Sequence, residues 1–519
     1  MEQFLQAETL IIELLLVASL VAIAVQRFRV PYTVALVVVG LLITFQQPVE
    51  LNVTPELILA LFVPPLVFEA AFHLNLVELR RNLAVIGMLA VPGVLISTVI
   101  VGGLITWLTP LAWPLAIVFG ALIAATDPVA VVALFRAVGV PKRLAVLVEG
   151  ESLLNDGTAI VLFNLALVTA LTGEFDLLTG VVDFVRVAAG GVATGLALGW
   201  LAAQIIARVD DYLIETTLTT VLAFGAYLAA ERLHFSGVLA VVAAGLINGN
   251  LGPRGMSPTT RIVLFSFWEY VAFLANSLVF LLIGLQINIP ALAEAWQPVA
   301  AAVFAVLASR LIVVYGLTAL VNLWQHRRPL AETIPLKWQH VLGWGGLRGA
   351  ISLALALSLP AALGPDRMLL RTMAFGVVLF TLLAQGTTMG PLVRRLQVVA
   401  RRADRHDYEE RHARLAATRA AEARLDELQR ASLVSVPAGE TLRLDLTRRS
   451  QELAEAVRLA LRDDPALGTE ELELTRRELL RAERSALADL LRDGVISEVV
   501  FERLAAEVDT QLAKREVSG

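Results

Sequence analysis

The chain contains no cysteine, which excludes a disulfide framework, thiol catalysis and thiolate metal sites, and says nothing of its redox compartment. Histidine is nearly as scarce. His73, His234, His326 and His340 are scattered near the ends of apolar runs, and His406 and His412 stand near the C-terminal end without a third partner, so all read as loop or interface side chains rather than metal ligands. Charged residues make up only 17% of the 519 residues, and a formal net charge of −5 sets up no basic field for nucleic acid or for an acidic partner. Nor does any nucleophile stand beside a base or a metal-binding cluster, so enzyme function and a bound cofactor are without support.

What is present is apolar surface. With 57% hydrophobic residues and a mean hydropathy of +0.72, a chain of this length belongs in a bilayer. The average hides a split: residues 1–399 are a succession of apolar runs, whereas 400–519 are dense in Arg, Glu, Asp, Leu and Ala at helical spacing. The reading is a membrane domain followed by a helical cytoplasmic tail.

A helix crossing the hydrocarbon needs about 20 apolar residues. Runs of that size lie near 9–26, 31–46, 54–72, 83–109, 113–137, 143–171, 180–207, 214–231, 235–251, 260–287, 298–323, 337–361 and 368–395, about thirteen in all. The first follows acidic Glu2 and Glu8 and precedes basic Arg27 and Arg29, the wrong polarity for a cleaved signal, so it reads as a spanning helix with its N-terminus outside. Alternate connections agree with that orientation. Those assigned inside carry Arg80 and Arg81, Arg136 with Lys142 and Arg143, Arg208, Arg254 and Arg261, then Arg327, Arg328 and Lys337, and Arg394, Arg395, Arg401 and Arg402 follow the last run. Those assigned outside carry Glu50, Glu174, Asp176 and Glu294, with Arg232, Arg367 and Arg371 as exceptions. A tail in the cytoplasm of a cell, or inner, membrane protein follows.

An odd count suits two six-helix halves of opposite orientation joined by a linking helix, the inverted-repeat plan of many transporters. Two runs in matching places are interrupted. The fifth carries Thr126-Asp127-Pro128 at its middle, and the twelfth carries Gly345, Gly346 and Gly349 around Arg348.

A charge at mid-bilayer costs about 2.5–3.5 kcal/mol and demands a partner or a water-filled cavity. At that depth stand Asp127, Glu151, Asp156, Arg310 and Arg348, with Glu69 nearer the inner end of the third run. Helical geometry sorts the segment from Gly150 to Gly157 into two stripes, Ser152 with Asp156 and Glu151 with Asn155. One stripe suits an ion and the other a structural partner. Arg348 is the expected partner of Glu151 and Asn155, since a planar guanidinium fits a carboxylate and an amide oxygen; a direct part in transport is the other reading. Pro128 disfavours helix at Asp127, which either frees the Thr126 carbonyl and the Asp127 carboxylate for a cation or makes Asp127 the cap of a kinked helix. Glu69, after Pro64 and Pro65, either borders the route from the cytoplasm or is a half-buried interface acid. Arg310 has no partner recognisable in the sequence.

Six segments, in order, resemble the monovalent cation/proton antiporter family of bacterial NhaP-type antiporters and animal sodium/proton exchangers: TDPVAVVALF from Thr126, GESLLNDGTAIVLF from Gly150, HFSGVLAVVAAGLING from His234, FWEYVAFLANSLVFLLIGL from Phe267, GWGGLRGAISLALALSLP from Gly343 and QGTT from Gln385. The resemblance implies an all-α fold of 13 membrane helices with two crossing broken helices, a homodimer, and exchange of Na+ or Li+ for H+ by alternating access. It implies that Asp156 binds cation and proton, with Ser152, Asp127 and Thr126 as further ligands and Glu69 acting less directly, and that Glu151, Asn155 and Arg348 stabilise the core. The Asn155-Asp156 pair, rather than two Asp, implies electroneutral one-for-one exchange. K+/H+ exchange is the nearest alternative. A sodium-coupled organic-anion symporter or a channel with a signalling tail are more distant ones. The partners implied are the bilayer, these ions and a second copy of the chain, with no nucleic acid. In the tail, Leu415, Leu425, Leu428, Leu453, Leu459 and Leu461 mark amphipathic helices that serve either dimer packing or regulation.

Overall fold

The computed structural model describes residues 2–28, 31–46, 55–173, 176–209, 211–252, 258–325, 333–398, 402–431, 433–463, 465–492 and 495–516. Arg29, Glu50, Glu174, Arg254, His326, Arg327, Arg328 and Arg401, used above, lie outside the described residues. The chain divides into two compact units, Met1–Val399 and Ala400–Gly519.

The first unit is built from helices alone among the described residues: α1 Glu2–Phe28, α2 Tyr32–Gln46, α3 Pro55–His73, α4 Leu76–Ala90, α5 Pro92–Leu108, α6 Trp113–Leu122, α7 Val129–Val138, α8 Lys142–Thr172, α9 Leu177–Ile206, α10 Tyr212–Arg232, α11 Gly237–Leu251, α12 Pro258–Gln286, α13 Ile289–Glu294, α14 Trp296–Gln325, α15 Leu336–Trp344, α16 Ala350–Leu357, α17 Pro365–Phe380 and α18 Gly386–Arg395. Seven stretches are long and apolar enough to cross a bilayer, with α4–α5 and α17–α18 each counting as one, and five shorter apolar helices join them. With the interrupted pair α15–α16 these occupy the thirteen runs of the sequence. Large apolar side chains such as Ile12, Leu16, Val181, Val185, Trp200 and Leu213 stand exposed on the outside, as lipid-facing positions should.

Four features differ from the sequence reading. The fourth span begins at Leu76, seven residues before the apolar run near 83, because Asn75 caps it by accepting the Val77 and Glu78 N–H groups at 2.9 and 3.2 Å; Arg80 and Arg81 therefore ride on the helix rather than in a loop. Pro92 then divides that span into α4 and α5. The last span contains a π-turn over Thr381–Gln385, and α13 adds a short helix in a connection read as irregular, capped by the Asn288 side chain on the Ala291 N–H at 3.0 Å.

Packing partners show the two-half plan. α2 lies on α12 and α3 on α11, while α4 lies on α8 and α14 on α17; α1 touches α2 and α12 as α10 touches α11 and α3. These pairings interchange when the first six spans are matched to the last six. Gly40 and Gly284 let α2 and α12 approach backbone to backbone: a Cβ on Gly40 would stand 3.0 Å from the Gly284 Cα. The contacts also separate α1–α3 with α9–α12 as one panel from α4–α8 with α14–α18 as a second bundle, touching chiefly through α3, α9, α11 and α12 of the panel and α8 and α16 of the bundle.

In the second unit, α19 Arg402–Arg430 pairs with α20 Val436–Asp463, and α21 Pro465–Arg492 with α22 Glu498–Glu516. Tyr408, Leu415 and Val457 form a small core with Leu453, Ala454 and Leu461 against it. Leu425 is buried as well, whereas Leu459 is exposed.

Candidate functional site between the two helical groups

Both interrupted spans break where the sequence removes helical hydrogen bonds. After α6 the backbone runs without helix through Ile123–Pro128, and after α15 through Gly345–Gly349. The two breaks meet: the Asp127 N–H donates to the Leu347 carbonyl at 2.8 Å. Gly349 is required at this crossing, since a Cβ there would overlap the Asp127 side chain, carboxylate included. Asp127 also caps α7, its Oδ1 accepting the Val129 N–H at 2.9 Å. The capping geometry of Asp127 is therefore present, with its other oxygen against Gly349.

The carbonyls freed by the first break are held from two sides. The Arg348 guanidinium donates to Ala124 O at 2.9 Å and Ala125 O at 3.1 Å, and Ser152 Oγ donates to Thr126 O. Asn155 brackets Thr126, accepting its N–H at 3.3 Å and donating to its Oγ1 at 2.6 Å. Arg348 is anchored in turn through its own N–H on Thr381 Oγ1, at 3.2 Å, in the π-turn.

The expected pairing of Arg348 with Glu151 and Asn155 is not what forms. Glu151 binds Arg310 bidentately, with the Nη2–Oε2 bond at 3.0 Å, and Arg310 Nη2 also donates to Leu342 O at 3.0 Å. Asn155 is taken by Thr126. The stripe reading placed Glu151 and Asn155 on one face, but sequence spacing does not say which of two deep guanidiniums that face meets; α14 brings Arg310 there, and the exposed carbonyls of the broken helix claim Arg348.

Between the two helical groups lies a cavity of about 130 Å³. The bundle lines it with Thr126, Asp127, Ser152, Asp156 and Ser352, and the panel with Glu69, His73 and Asn276. Asp156 is 9% exposed and its carboxylate makes no hydrogen bond to any described residue, so its oxygens are open to the cavity. Glu69 pairs with His73 one turn on, at 3.3 Å from Oε1 to Nδ1. Glu151, by contrast, does not reach the cavity.

Four lining residues escaped the sequence reading. Glu149 and Arg136 stand in the cavity wall, the first overlooked and the second treated only as a loop charge. A signal existed for Glu149: with Ser152 and Asp156 it forms an i, i+3, i+7 set on one helix face. The sequence alone reads His73 as a loop or interface side chain, although Glu69 lies four residues before it. Asn276 carried no signal beyond being an amide within an apolar run.

Residues 14–395 match the model of the family described as "Sodium/hydrogen exchanger, transmembrane". The Na+/H+ antiporter ApNhaP of Aphanothece halophytica is 42% identical over 443 residues, 85% of this chain and 82% of that one. The low-affinity Na+/H+ antiporter NhaS1 of Synechocystis is 37% identical over 480 residues, covering 92% and 90%. Among solved structures, the sodium proton antiporter MjNhaP1 of Methanocaldococcus jannaschii superimposes with a TM-score of 0.63 at 21% identity, covering 76% of this chain and 99% of that one, which speaks for the fold.

Proposed function

The chain belongs to the sodium/hydrogen exchanger family, and from that membership we propose that it exchanges one Na+ for one H+ at Asp156 by alternating access. The observation that carries the site is the Asp156 carboxylate, buried in the membrane unit, free of hydrogen bonds to described residues and open to a cavity shared with Ser152, Thr126 and Asp127. These are hard oxygen donors suited to Na+ or Li+. The family transports ions and calls for no cofactor.

A carboxylate in such a place holds a proton or a monovalent cation, not both. Either load leaves it near neutral, whereas the empty, ionised form carries a charge whose passage through the bilayer interior costs about 2.5–3.5 kcal/mol. Coupling follows, because only the loaded forms cross readily. Asn155, neutral and committed to Thr126, adds no second titrating charge beside Asp156, which supports one-for-one exchange. Arg348 serves by holding the Ala124 and Ala125 carbonyls, so that the broken helix keeps its shape while ions come and go. Glu151 and Arg310 brace the same bundle from behind.

The two helical groups give the motion its parts. The bundle carrying α6–α8 and α15–α16 holds Asp156, and the panel of α1–α3 with α9–α12 is the scaffold it moves against, in a homodimer. The cavity wall carrying Glu69, His73, Arg136 and Glu149 lies toward the cytoplasm, with the N-terminus outside and the tail inside, a reading supported by the basic loops.

The test is Asp156→Asn in the purified protein, reconstituted in proteoliposomes with a trapped pH dye and given Na+, Li+ or K+ pulses. Wild type dequenches with Na+ and Li+ and the variant with neither, while its melting profile stays that of a folded protein. Sodium-dependent proton flux persisting in the variant removes Asp156 from the mechanism, and a response of wild type to K+ instead makes it a K+/H+ exchanger.

A further inference from the structure

The panel presents three polar side chains to the cavity: Glu69 and His73 on α3, and Asn276 on α12. Glu69 and His73 are paired with each other. Asn276 differs, because its amide makes no hydrogen bond to any described residue, and apart from Ser277 the stretch of α12 around it is apolar. Its neighbour shows what a structural polar group looks like here. Ser277, one residue on and so turned about 100° around the helix, is fully buried, shares a 2.8 Å hydrogen bond with Tyr32 Oη and donates to Phe273 O at 2.5 Å. Polar groups within membrane helices are costly and are normally satisfied by a partner. Asn276 has the cavity instead.

We propose that Asn276 is a ligand for the transported cation, its side-chain carbonyl meeting the ion from the scaffold wall opposite Asp156. The inference rests on the Asp156-centred exchange above and extends it: every ligand named there rides on the bundle, whereas Asn276 belongs to the panel. A neutral amide oxygen is a hard donor that suits Na+ and Li+ and alters no charge in the exchange. An ion on Asp156 would meet this oxygen only when the bundle stands in the position seen here, so the residue contributes to capture and release on this side and is left behind when the bundle moves.

The experiment compares wild type, Asn276→Ala and Asn276→Gln in proteoliposomes, reading initial rates over a range of Na+ and, separately, the Na+-dependent rise in melting temperature of the detergent-purified proteins. Loss of one oxygen ligand raises the half-saturating Na+ of Asn276→Ala on the order of tenfold, with the change falling on KM more than on kcat. The same variant shows a weaker Na+-dependent rise in melting temperature, and its melting temperature without Na+ stays at the wild-type value. Asn276→Gln, which keeps an amide oxygen on a longer arm, recovers part of the affinity. A half-saturating Na+ within twofold of wild type in Asn276→Ala overturns the proposal. So does a raised value shared equally by Asn276→Gln and accompanied by a lower melting temperature without Na+, which makes the residue a packing element. If wild type itself exchanges no Na+, the functional reading beneath the proposal fails; if wild type exchanges and Asn276→Ala matches it, the proposal alone fails.

Discussion

Replacing Arg310 by Met tests the buried ion pair that the sequence did not foresee. The Glu151 side chain is 3% exposed and that of Arg310 11%, so neither carboxylate oxygen has water to turn to when the guanidinium is removed. Leaving a buried carboxylate without its counter-ion costs about 3–5 kcal/mol, and the Leu342 carbonyl loses a donor worth about 1 kcal/mol more. Methionine fills much of the arginine stem, so little of this loss arises from a void. Glu151→Gln in the same background removes the stranded charge, and the double variant therefore recovers a large part of the stability, with a coupling energy of about 0.5–3 kcal/mol. The assay is thermal melting of the detergent-purified protein for wild type, both single variants and the double variant. The reasoning is refuted if Arg310→Met melts like wild type, or if the double variant loses the sum of the two single losses, since either result means that the pair does not hold the bundle together.

Two further outcomes follow. Arg348→Ala withdraws the donors from the Ala124 and Ala125 carbonyls, bonds to a charged group worth about 1.5–3 kcal/mol each; the melting temperature falls while half-saturating Na+ in the protein that survives changes less than tenfold, and unchanged melting would contradict the assignment. Gly349→Ala places a Cβ on the Asp127 side chain, so Na+-driven proton flux in proteoliposomes falls steeply with the protein still folded, whereas wild-type flux would show that the crossing tolerates displacement of Asp127.

The thirteen apolar runs and their interruptions at Thr126-Asp127-Pro128 and around Arg348 were legible because each rests on local physics: apolar length against bilayer thickness, and proline and glycine against helix continuity. The stripes of α8 were legible too, since helical periodicity alone puts Ser152 with Asp156 and Glu151 with Asn155. Periodicity assigns faces, and that is where its authority ends. It could not choose between Arg310 and Arg348 for Glu151, because both are deep cations on other helices and the choice depends on which helix lies against α8. Asn276 was equally beyond its reach, being a single amide in an apolar run whose meaning comes only from the cavity it borders.

The sequence by itself thus determined that the chain is a helical membrane protein, where its helices break, and that Asp127, Glu151, Asp156, Arg310 and Arg348 stand at depth. Tertiary structure decided the company those groups keep. It set Arg348 on the freed carbonyls of Ala124 and Ala125, gave Glu151 to Arg310, crossed the two breaks at Asp127 and Gly349, and left Asp156 facing a cavity with Asn276 in the panel's wall. The physical reason is that breaks and charges are properties of a segment, whereas partners are settled by which helices approach one another, and only the packed fold specifies that.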